Sequence, residues 1–400
     1  MRRLAACCLA AAAVAVPAAL AGGAADPGVT PSQILIGGTA PLSGPAVLFA
    51  SVARGAEAYF KYVNARGGVN GRTIKYEYLD DQYSVPLTVQ MTKQLVEQDK
   101  VFAVFNSVGT PNGVAVRDYL NAAGVPQLFQ GSGVSTLSSP KYHWSMGFLP
   151  SFVGEGRIYG RYVAANQPHA KIAVIYENND FGKDELSGLR AGLGAKAGQI
   201  VAVQPYEVTD TDLSSQIAQL KASGADTLMV FATPQFAILS YVAAAKLGWA
   251  PRYYLSFVSP SPNVMDIIRA SVGKLANGTI SIAFVKDPTN LKLWGKDPAI
   301  ALYKKVLACC LPGGKYADVY NYYGMAVAYT MVDALRAAGK NPTRASLMAA
   351  ATHLNEVNPF LLPGITVRTS PTDYLPIQQA RLIRYENGLW TPFGSLVPAS

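Results

Sequence analysis

Two short stretches of small and hydroxyl-bearing residues could hold an anion. Their members, in chain order, are Ser107, Gly109, Thr110, Gly131, Ser132 and Gly133. The first stretch follows the apolar run Val101–Phe105 and precedes a predicted helix, and the second follows the apolar run Val125–Phe129. Parallel strands end at one edge of their sheet, and a helix begins with free N–H groups, so the pattern predicts a cradle for a carboxylate. Two ordinary helix caps with turn glycines would have the same composition, and this alternative stays open.

Strand and helix patterns alternate along most of the chain. From a strand at residues 33–40 to the run at 125–129 the order is β-α-β-α-β-α-β, which requires a parallel sheet with right-handed crossovers. Periodicity is lost over residues 138–150, and a second β/α series of similar size then runs to residue 284. Three helices follow between residues 298 and 351, and a hairpin closes the chain around Asn387-Gly388. The pattern predicts an α/β protein with two parallel-sheet units that meet near residues 145–150.

Length and composition indicate two domains, and the charge distribution argues against nucleic-acid binding. The 400 residues are 50% hydrophobic, enough for two domain cores. The net charge of +9 comes from scattered basic residues, so we expect no nucleic-acid partner.

The N-terminus has the pattern of a secretory signal peptide. Arg2 and Arg3 precede an alanine-rich apolar core, and Ala19-Leu20-Ala21 supplies small residues for cleavage. We expect residues 1–21 to be removed and the mature protein to be periplasmic or otherwise exported. No later apolar stretch reaches the roughly 20 residues of a membrane span.

Cys309 and Cys310 are the only cysteines after the signal peptide. Adjacent cysteines form a disulfide only with unusual backbone geometry, so we expect this pair to fill space at a helix end. The three histidines, His143, His169 and His353, are isolated from one another. The chain has no nucleophile elbow, phosphate loop or dinucleotide fingerprint, so we predict a binding protein without cofactor or metal, and no enzyme.

Several motifs resemble the leucine/isoleucine/valine-binding type of periplasmic binding protein, which serves ABC importers. They are Ile34–Gly37, Pro41–Pro45, the Gly67-Gly68-Val69-Asn70-Gly71 segment, Asp80-Asp81, and the loops around Ser107 and Gly131. The resemblance implies two Rossmann-like lobes joined by three crossovers, with the ligand between them. It places lobe 1 at residues 30–145 and 281–366, and lobe 2 at residues 146–280 and 367–400. It also implies a small-molecule ligand, a membrane permease as partner, and a monomer.

By the same resemblance Ser107 holds a ligand carboxylate, and the carbonyl of Gly131 takes an α-ammonium. Gly133 stands where the family has a hydroxyl that also accepts from the ammonium. The family's acid falls near Gln235-Phe236, where this chain has no charge. A buried ammonium without its carboxylate costs several kcal/mol, so an α-amino acid is not the expected ligand.

Phenylalanines occupy the positions expected to face the cleft. These are Phe49, Phe152, Phe181, Phe236 and Phe257. Phe49 and Phe181 stand where the family has tyrosine, and loss of the hydroxyl makes a cleft drier. Plain core packing is the alternative explanation for each ring.

The sequence therefore predicts an extracytoplasmic solute-binding protein that delivers a small apolar or aromatic carboxylate to an ABC importer. A binder of branched-chain or other hydrophobic amino acids, or of an amide, is one alternative. A ligand-sensing receptor domain, which uses the same lobes, is another. If Ser107 holds the carboxylate, Ser107→Ala weakens binding strongly and changes the unliganded stability little.

Overall fold

The computed structural model describes residues 25–400. The predicted signal peptide, residues 1–21, lies outside the described residues.

The first part of the chain forms a five-stranded parallel sheet. Its elements are β1 (Gln33–Ala40), α1 (Ala50–Asn64), β2 (Thr73–Asp80), α2 (Val85–Lys93), β3 (Ala103–Phe105), α3 (Thr110–Ala122), β4 (Gln127–Gln130) and β5 (Ser145–Gly147). The strand order is β2-β1-β3-β4-β5. The short strand β5 lies in the stretch where sequence periodicity is lost, and it pairs in parallel with β4.

A second sheet begins after β5. Its elements are α4 (Phe152–Asn166), β6 (Ile172–Glu177), α5 (Asp180–Leu193), β7 (Ile200–Tyr206), α6 (Ser214–Ala222), β8 (Thr227–Phe231), α7 (Pro234–Lys246), β9 (Arg252–Leu255), α8 (Pro262–Val272) and β10 (Ile280–Ala283). The strands pair in parallel in the order β10-β9-β8-β6-β7.

The rest of the chain returns to the first sheet and then to the second. Its elements are α9 (Leu291–Trp294), α10 (Pro298–Cys310), α11 (Val319–Ala337), α12 (Arg344–Ala351), β11 (Asn355–Glu356), β12 (Val367–Arg368), β13 (Gln379–Glu386) and β14 (Leu389–Pro398). Helix α11 packs against α1, while β13 and β14 add two antiparallel strands beside β10. We call the five-stranded sheet with its helices lobe 1 and the seven-stranded sheet with its helices lobe 2.

The prediction of an α/β fold with two mostly parallel sheets is confirmed. The pairing of β10 with β9 keeps the chain in the second sheet to Ala283, three residues beyond the expected boundary at 280. The last passage between the sheets lies between β12 and β13, after residue 368. These pairings support the proposed division into two lobes, with the boundary expected at 280 moved to 283 and the one expected at 366 moved to 368.

Glycines let two helix pairs approach closely. A Cβ atom on Gly55 of α1 would lie 2.2 Å from the carbonyl oxygen of Asn321 of α11. A Cβ atom on Gly156 of α4 would lie 2.0 Å from the carbonyl oxygen of Glu185 of α5. Real Cβ atoms do not approach a backbone oxygen this closely, so any larger residue would push the helices apart. Both pairs begin at the gap between the lobes. Within each pair, the close packing fixes the first turn of one helix relative to that of the other.

The cysteine pair differs from expectation. Cys309 and Cys310 occupy the last turn of α10 as predicted, but they are joined by a disulfide. The prediction that they act only as unbridged filler is wrong. The helix ends directly after them, at Leu311, where the backbone leaves the helical conformation.

Within residues 25–400, no helix has both the length and the apolar character needed to cross a membrane.

Candidate ligand-binding site

A cavity of about 140 Å³ lies between the lobes, where strands of both sheets end. Gly109 and Gly131 line it from the loops after β3 and β4, and Thr233 and Phe257 line it from the loops after β8 and β9. Ligands of open α/β sheets bind at this edge. An apolar protein cavity of about 150 Å³ takes up benzene, so the volume suits one ring. We call this space the cleft cavity.

Several aromatic rings line the cavity on the side of lobe 2. The ring of Phe152 lies 4.7 Å from that of Phe181 and 5.7 Å from that of Phe257. Phe257 in turn lies 5.9 Å from Phe284. On the opposite wall, Phe49 contacts Tyr320 edge to face at 5.0 Å. The glycine-packed helix pairs hold these rings, because Phe152 and Phe181 begin α4 and α5 while Phe49 and Tyr320 lie at the starts of α1 and α11.

Three helices begin at the cavity without a side-chain cap. Thr110 begins α3, and Thr233 and Ser261 precede α7 and α8. In the described part of the chain none of these three helices has a side-chain acceptor on its first N–H groups, whereas α4, α5, α10, α11 and α12 do. Uncapped helix starts carry partial positive charge and free donors. This end of the cavity therefore favours an anionic group.

The turn before α3 requires glycine. Gly109 has φ 112°, and a Cβ atom there would lie 2.6 Å from Asn112 Oδ1 and 2.7 Å from the ring of Tyr83. The next residue, Thr110, places its hydroxyl 2.7 Å from that of Ser132. Thr110 lines the cavity and stands at the first position of α3, so its backbone N–H belongs to the free donors of this helix start.

Glu177 is a buried acid at the cleft that the sequence argument missed. Its Oε1 accepts from Asn179 Nδ2 at 2.5 Å and from the Tyr83 hydroxyl at 3.4 Å. Its Oε2 accepts from the hydroxyls of Tyr206 at 2.8 Å and Thr233 at 3.2 Å. Burial raises the pKa of Glu177 despite these donors. A carboxylate offers about four acceptor positions, and all are taken, so no position is left for a ligand ammonium.

Seven of the eleven sequence-predicted site residues line the cavity. They are Phe49, Gly109, Thr110, Gly131, Phe152, Phe181 and Phe257. The other four do not line it: Ser107, Ser132, Gly133 and Phe236.

Three of these four residues have structural contacts of their own. The Ser107 hydroxyl accepts from the backbone N–H of Thr39 at 2.9 Å. Phe236 stacks on Tyr206 at 4.4 Å between ring centres. A Cβ atom on Gly133 would lie 2.0 Å from the carbonyl oxygen of Pro150, so the missing hydroxyl at this position has a steric cause.

A second group of polar residues, from the segment after β10 and from β14, also lines the cavity. Lys286 places Nζ 2.8 Å from Asp297 Oδ2 and 2.8 Å from the carbonyl oxygen of Pro359. Asp287 and Trp390 line the cavity as well. Sequence reasoning missed all three, because they come from distant segments with no shared motif.

A pair of acids lies beneath the aromatic wall. Glu155 Oε1 accepts from the backbone N–H of Phe257 at 2.7 Å and from the Tyr159 hydroxyl at 2.6 Å. Ser256 donates to Glu185 Oε1 at 2.5 Å. Burial raises the pKa of both carboxyl groups, that of Glu185 well above its usual range. The pair therefore retains protons at pH values where exposed glutamates have lost them.

Comparison with known proteins identifies the family. A family model described as "Periplasmic binding protein" matches residues 33–388. A Leu/Ile/Val-binding protein homolog 2 from Brucella abortus is 25% identical over 338 residues, covering 83% of this chain and 85% of that protein.

Solved structures share the fold. A branched-chain amino acid ABC transporter protein from Thermus thermophilus with bound valine has a TM-score of 0.80 at 18% identity, covering 92% of this chain and 96% of that one. A solute-binding protein of an ABC transporter from R. palustris, in complex with 4-hydroxybenzoate, has a TM-score of 0.74 at 19% identity, covering 90% of this chain and 95% of that one. At these identities the likeness establishes the fold alone.

Proposed function

Because the chain belongs to the periplasmic binding protein family, we propose that it captures a small apolar or aromatic carboxylate in the cleft cavity and delivers it to an ABC importer. A permease in the membrane and a monomeric state belong to the same proposal. The resemblance found in the sequence is confirmed at the level of the family, and the ligand class is the new claim.

The observation that carries the proposal is the pairing of an aromatic wall with uncapped helix starts. Phe152, Phe181 and Phe257 offer apolar surface to a ring or chain. At roughly 25 cal/mol per Å² of buried apolar surface, a benzene-sized body gains a few kcal/mol. The N-terminus of α3 offers donors to its carboxylate at the same cavity.

The saturated environment of Glu177 argues against an α-ammonium bound to this acid. Each oxygen of this carboxylate already accepts two hydrogen bonds. An ammonium placed there would displace a tyrosine or threonine donor, and the displaced buried hydroxyl would lose about 1–3 kcal/mol. The valine complex of the Thermus protein shows that the shared fold does accept amino acids, so this argument rests on this chain's own residues.

A ligand screen tests the proposal. Protein freed of co-purified ligand by unfolding and refolding is heated with benzoate, phenylacetate or hexanoate, and separately with leucine or valine. We expect the acids to raise the melting temperature and the amino acids to leave it unchanged, with benzamide as the neutral control that lacks the carboxylate. Stabilisation by leucine or valine without stabilisation by any acid contradicts the proposal.

A hydrophobic amino acid is the second candidate, and one observation favours it. Asp287 lines the cavity, and its Oδ2 is a buried acceptor with no partner within residues 25–400. An ammonium could bind there in place of Glu177. In that case leucine stabilises the wild type, and Asp287→Asn removes the effect.

A further inference from the structure

In the described part of the chain, Tyr83 is the one residue that lines both the cleft cavity and a second cavity between the lobes. The second cavity has a volume of about 790 Å³ and lies between the loop of lobe 1 around Gln82 and the loop of lobe 2 around Glu207. Glu177, which accepts from the Tyr83 hydroxyl, lines the second cavity as well. The Tyr83 side chain therefore stands between the proposed ligand space and the second cavity.

The backbone of Tyr83 has a conformation that large side chains rarely adopt. Its φ is 59°, and the preceding residue, Gln82, has φ 52°. Left-handed backbone is uncommon for any residue other than glycine, and it is an outlier for a bulky one. Such a conformation persists only where neighbouring groups hold it, and it is found most often at functional sites. The contacts around Tyr83 therefore determine where its ring lies.

Asp81 supplies these contacts. Its Oδ1 accepts from the backbone N–H of Tyr83 at 3.0 Å, and its backbone oxygen accepts from the N–H of Ser84 at 2.7 Å. Its Oδ2 accepts from the Thr88 hydroxyl on α2 at 2.8 Å and from Asn112 Nδ2 on α3 at 3.3 Å. Asp81 is fully buried, so bulk water cannot replace these partners. The carboxylate is fixed by two helices and in turn fixes Tyr83.

The same contacts connect Tyr83 to the start of α3. Asn112 lies in the first turn of this helix, two residues after Thr110. The ring of Tyr83 packs so closely on Gly109 that a Cβ atom there would lie 2.7 Å from it. Asp81 therefore holds Tyr83 in a fixed position relative to the helix start that offers donors to a carboxylate.

We propose that Asp81 is a positioning residue, which holds Tyr83 between the two cavities and so retains the bound ligand in the cleft cavity. Asp81 lines neither cavity, so it acts through Tyr83 and not by touching the ligand. Without Oδ1 of Asp81, the N–H of Tyr83 loses its acceptor and the backbone can return to a common conformation with negative φ. That change moves the hydroxyl away from Glu177 and lets the ligand leave through the second cavity. The inference rests on the proposed function and concerns how the same site retains its ligand.

Two substitutions of Asp81 test the role of the Oδ1 acceptor. Asp81→Ala removes it, whereas Asp81→Asn keeps an oxygen that can accept from the Tyr83 N–H. Titration calorimetry measures the affinity for phenylacetate, and stopped-flow mixing measures its dissociation rate. We expect Asp81→Ala to bind about tenfold more weakly, mainly through faster dissociation, as for the loss of one hydrogen bond to a charged group. Asp81→Asn should stay within threefold of the wild type, and an Asp81→Asn variant as weak as Asp81→Ala overturns the proposal.

A double variant tests whether Asp81 acts through Tyr83. Once Asp81→Ala has moved the Tyr83 hydroxyl away from Glu177, deleting that hydroxyl has no further cost. The variant that combines Asp81→Ala with Tyr83→Phe should therefore bind phenylacetate within twofold of Asp81→Ala alone. Fold-losses of the two single variants that simply multiply would show that the residues act independently, and would overturn the proposal.

Glu356→Ala is the matched control. Glu356 is an acid of lobe 1 that accepts from the Thr330 hydroxyl at 2.8 Å and lines neither cavity. Its loss should lower the melting temperature and leave the affinity for phenylacetate within twofold of the wild type. A tenfold loss of affinity in Glu356→Ala would show that any weakened contact in lobe 1 impairs binding, and would overturn the specific role of Asp81.

Hydrogen exchange at the Tyr83 N–H tests the role of Asp81 without any ligand. We expect this N–H to exchange at least tenfold faster in Asp81→Ala and to remain protected in Asp81→Asn. If Asp81→Ala does not fold, Thr88→Val takes its place, because it removes a donor to Oδ2 and keeps the volume of the side chain. Unchanged exchange at Tyr83 in the folded variant overturns the proposal.

Failure of the wild type to bind phenylacetate or any other acid overturns the proposed ligand class and not the role of Asp81. Exchange at Tyr83 then decides that role: faster exchange in Asp81→Ala with protection in Asp81→Asn supports it, and equal exchange in both variants overturns it.

Discussion

The hydroxyl of Tyr83 in lobe 1 lies 3.4 Å from Oε1 of Glu177 in lobe 2. The other three donors to this carboxylate, Asn179, Tyr206 and Thr233, all belong to lobe 2. Contact between the lobes therefore completes the donor set of a buried acid. A second link across the gap joins the Tyr320 hydroxyl to the carbonyl oxygen of Val258 at 2.9 Å.

Tyr83→Phe is expected to weaken ligand binding several-fold with little effect on the unliganded protein. The substitution removes the donor that lobe 1 gives to Glu177, which makes the closed arrangement less favourable by about 1 kcal/mol. Calorimetry and thermal melting measure the two effects. Tyr206→Phe is the control, because it removes a donor to the same carboxylate from within lobe 2. It should lower the melting temperature with and without ligand, and equal behaviour of the two variants contradicts the closure role of Tyr83.

Phe181→Ala and Phe236→Ala test which of the two rings contacts the ligand and which contributes only to core packing. Both rings are almost fully buried, so each substitution should lower the free energy of unfolding by about 3–5 kcal/mol. Only Phe181 lines the cavity, so only Phe181→Ala should weaken phenylacetate binding, by tenfold or more. Denaturant titration and calorimetry check this. A tenfold loss of affinity in Phe236→Ala would place that ring in the site after all.

Gly133→Ser does not create an amino-acid site. Its Cβ atom would lie 2.0 Å from the carbonyl oxygen of Pro150, at the passage between the lobes, so we expect a loss of stability of several kcal/mol and no gain of leucine binding. Gly131→Ala is the control, because a Cβ there would lie 3.3 Å from the nearest atom, the carbonyl oxygen of Ser107. Thermal melting should rank Gly131→Ala well above Gly133→Ser. A stable Gly133→Ser variant that binds leucine would show that the missing hydroxyl determines ligand choice.

Ser107→Ala tests whether the Ser107 hydroxyl binds the ligand carboxylate, as the family resemblance implies, or serves only to accept a hydrogen bond from the backbone of Thr39. The resemblance assigns this hydroxyl to the ligand carboxylate, whereas the structure pairs it with the backbone N–H of Thr39. We expect a loss of about 1–3 kcal/mol in the free energy of unfolding from the unpaired N–H, and affinity within threefold of the wild type. Thr110→Val, which removes a hydroxyl at the cavity, should weaken binding of the acid instead. Strongly weakened binding with unchanged stability in Ser107→Ala would support the role given by the resemblance.

Glu185→Gln is expected to flatten the pH dependence of stability. Burial raises the pKa of Glu155 and Glu185 in the folded state, so their contribution is complete below the pKa of an unfolded glutamate and is lost as pH rises through the folded values. A tenfold difference in proton affinity between the folded and unfolded states corresponds to about 1.4 kcal/mol of stability. The wild type should therefore lose stability relative to Glu185→Gln in denaturant titrations as the pH rises above the ordinary range of glutamate. Glu386→Gln, at an exposed position, should follow the wild type, and parallel curves for all three proteins would contradict the raised pKa values of the buried pair.

The alternation of apolar runs and helical periodicity was enough to predict both sheets and most helices. The start of helix α8 is hard to recognise in the sequence because Pro260 and Pro262 are typical of a loop, although Pro262 occupies the first helical position, where its missing N–H costs nothing. Strand β5 was missed because three residues carry no period. Its pairing with β4 depends on tertiary contact.

Site residues could be predicted from the sequence where they follow the end of a strand. They could not be predicted where segments far apart in the sequence come together only in the folded chain. Phe152, Phe181 and Phe257 could be placed because each lies at an element boundary in a β/α unit. Glu177 ends β6 and so carried the same signal, but the acid was sought one strand away, near Gln235. Asp287 and Trp390 lie 103 positions apart in the numbering and share no motif, so only the folded chain brings them to one cavity.

A crystal structure of the ligand-free protein soaked with phenylacetate tests the proposed site most directly. We predict the ring within the cleft cavity against Phe152 and Phe181, and the carboxylate within hydrogen-bond distance of the Thr110 N–H at the start of α3. An empty cavity at saturating phenylacetate, or a co-purified α-amino acid with its ammonium on Asp287 or Glu177, would contradict it.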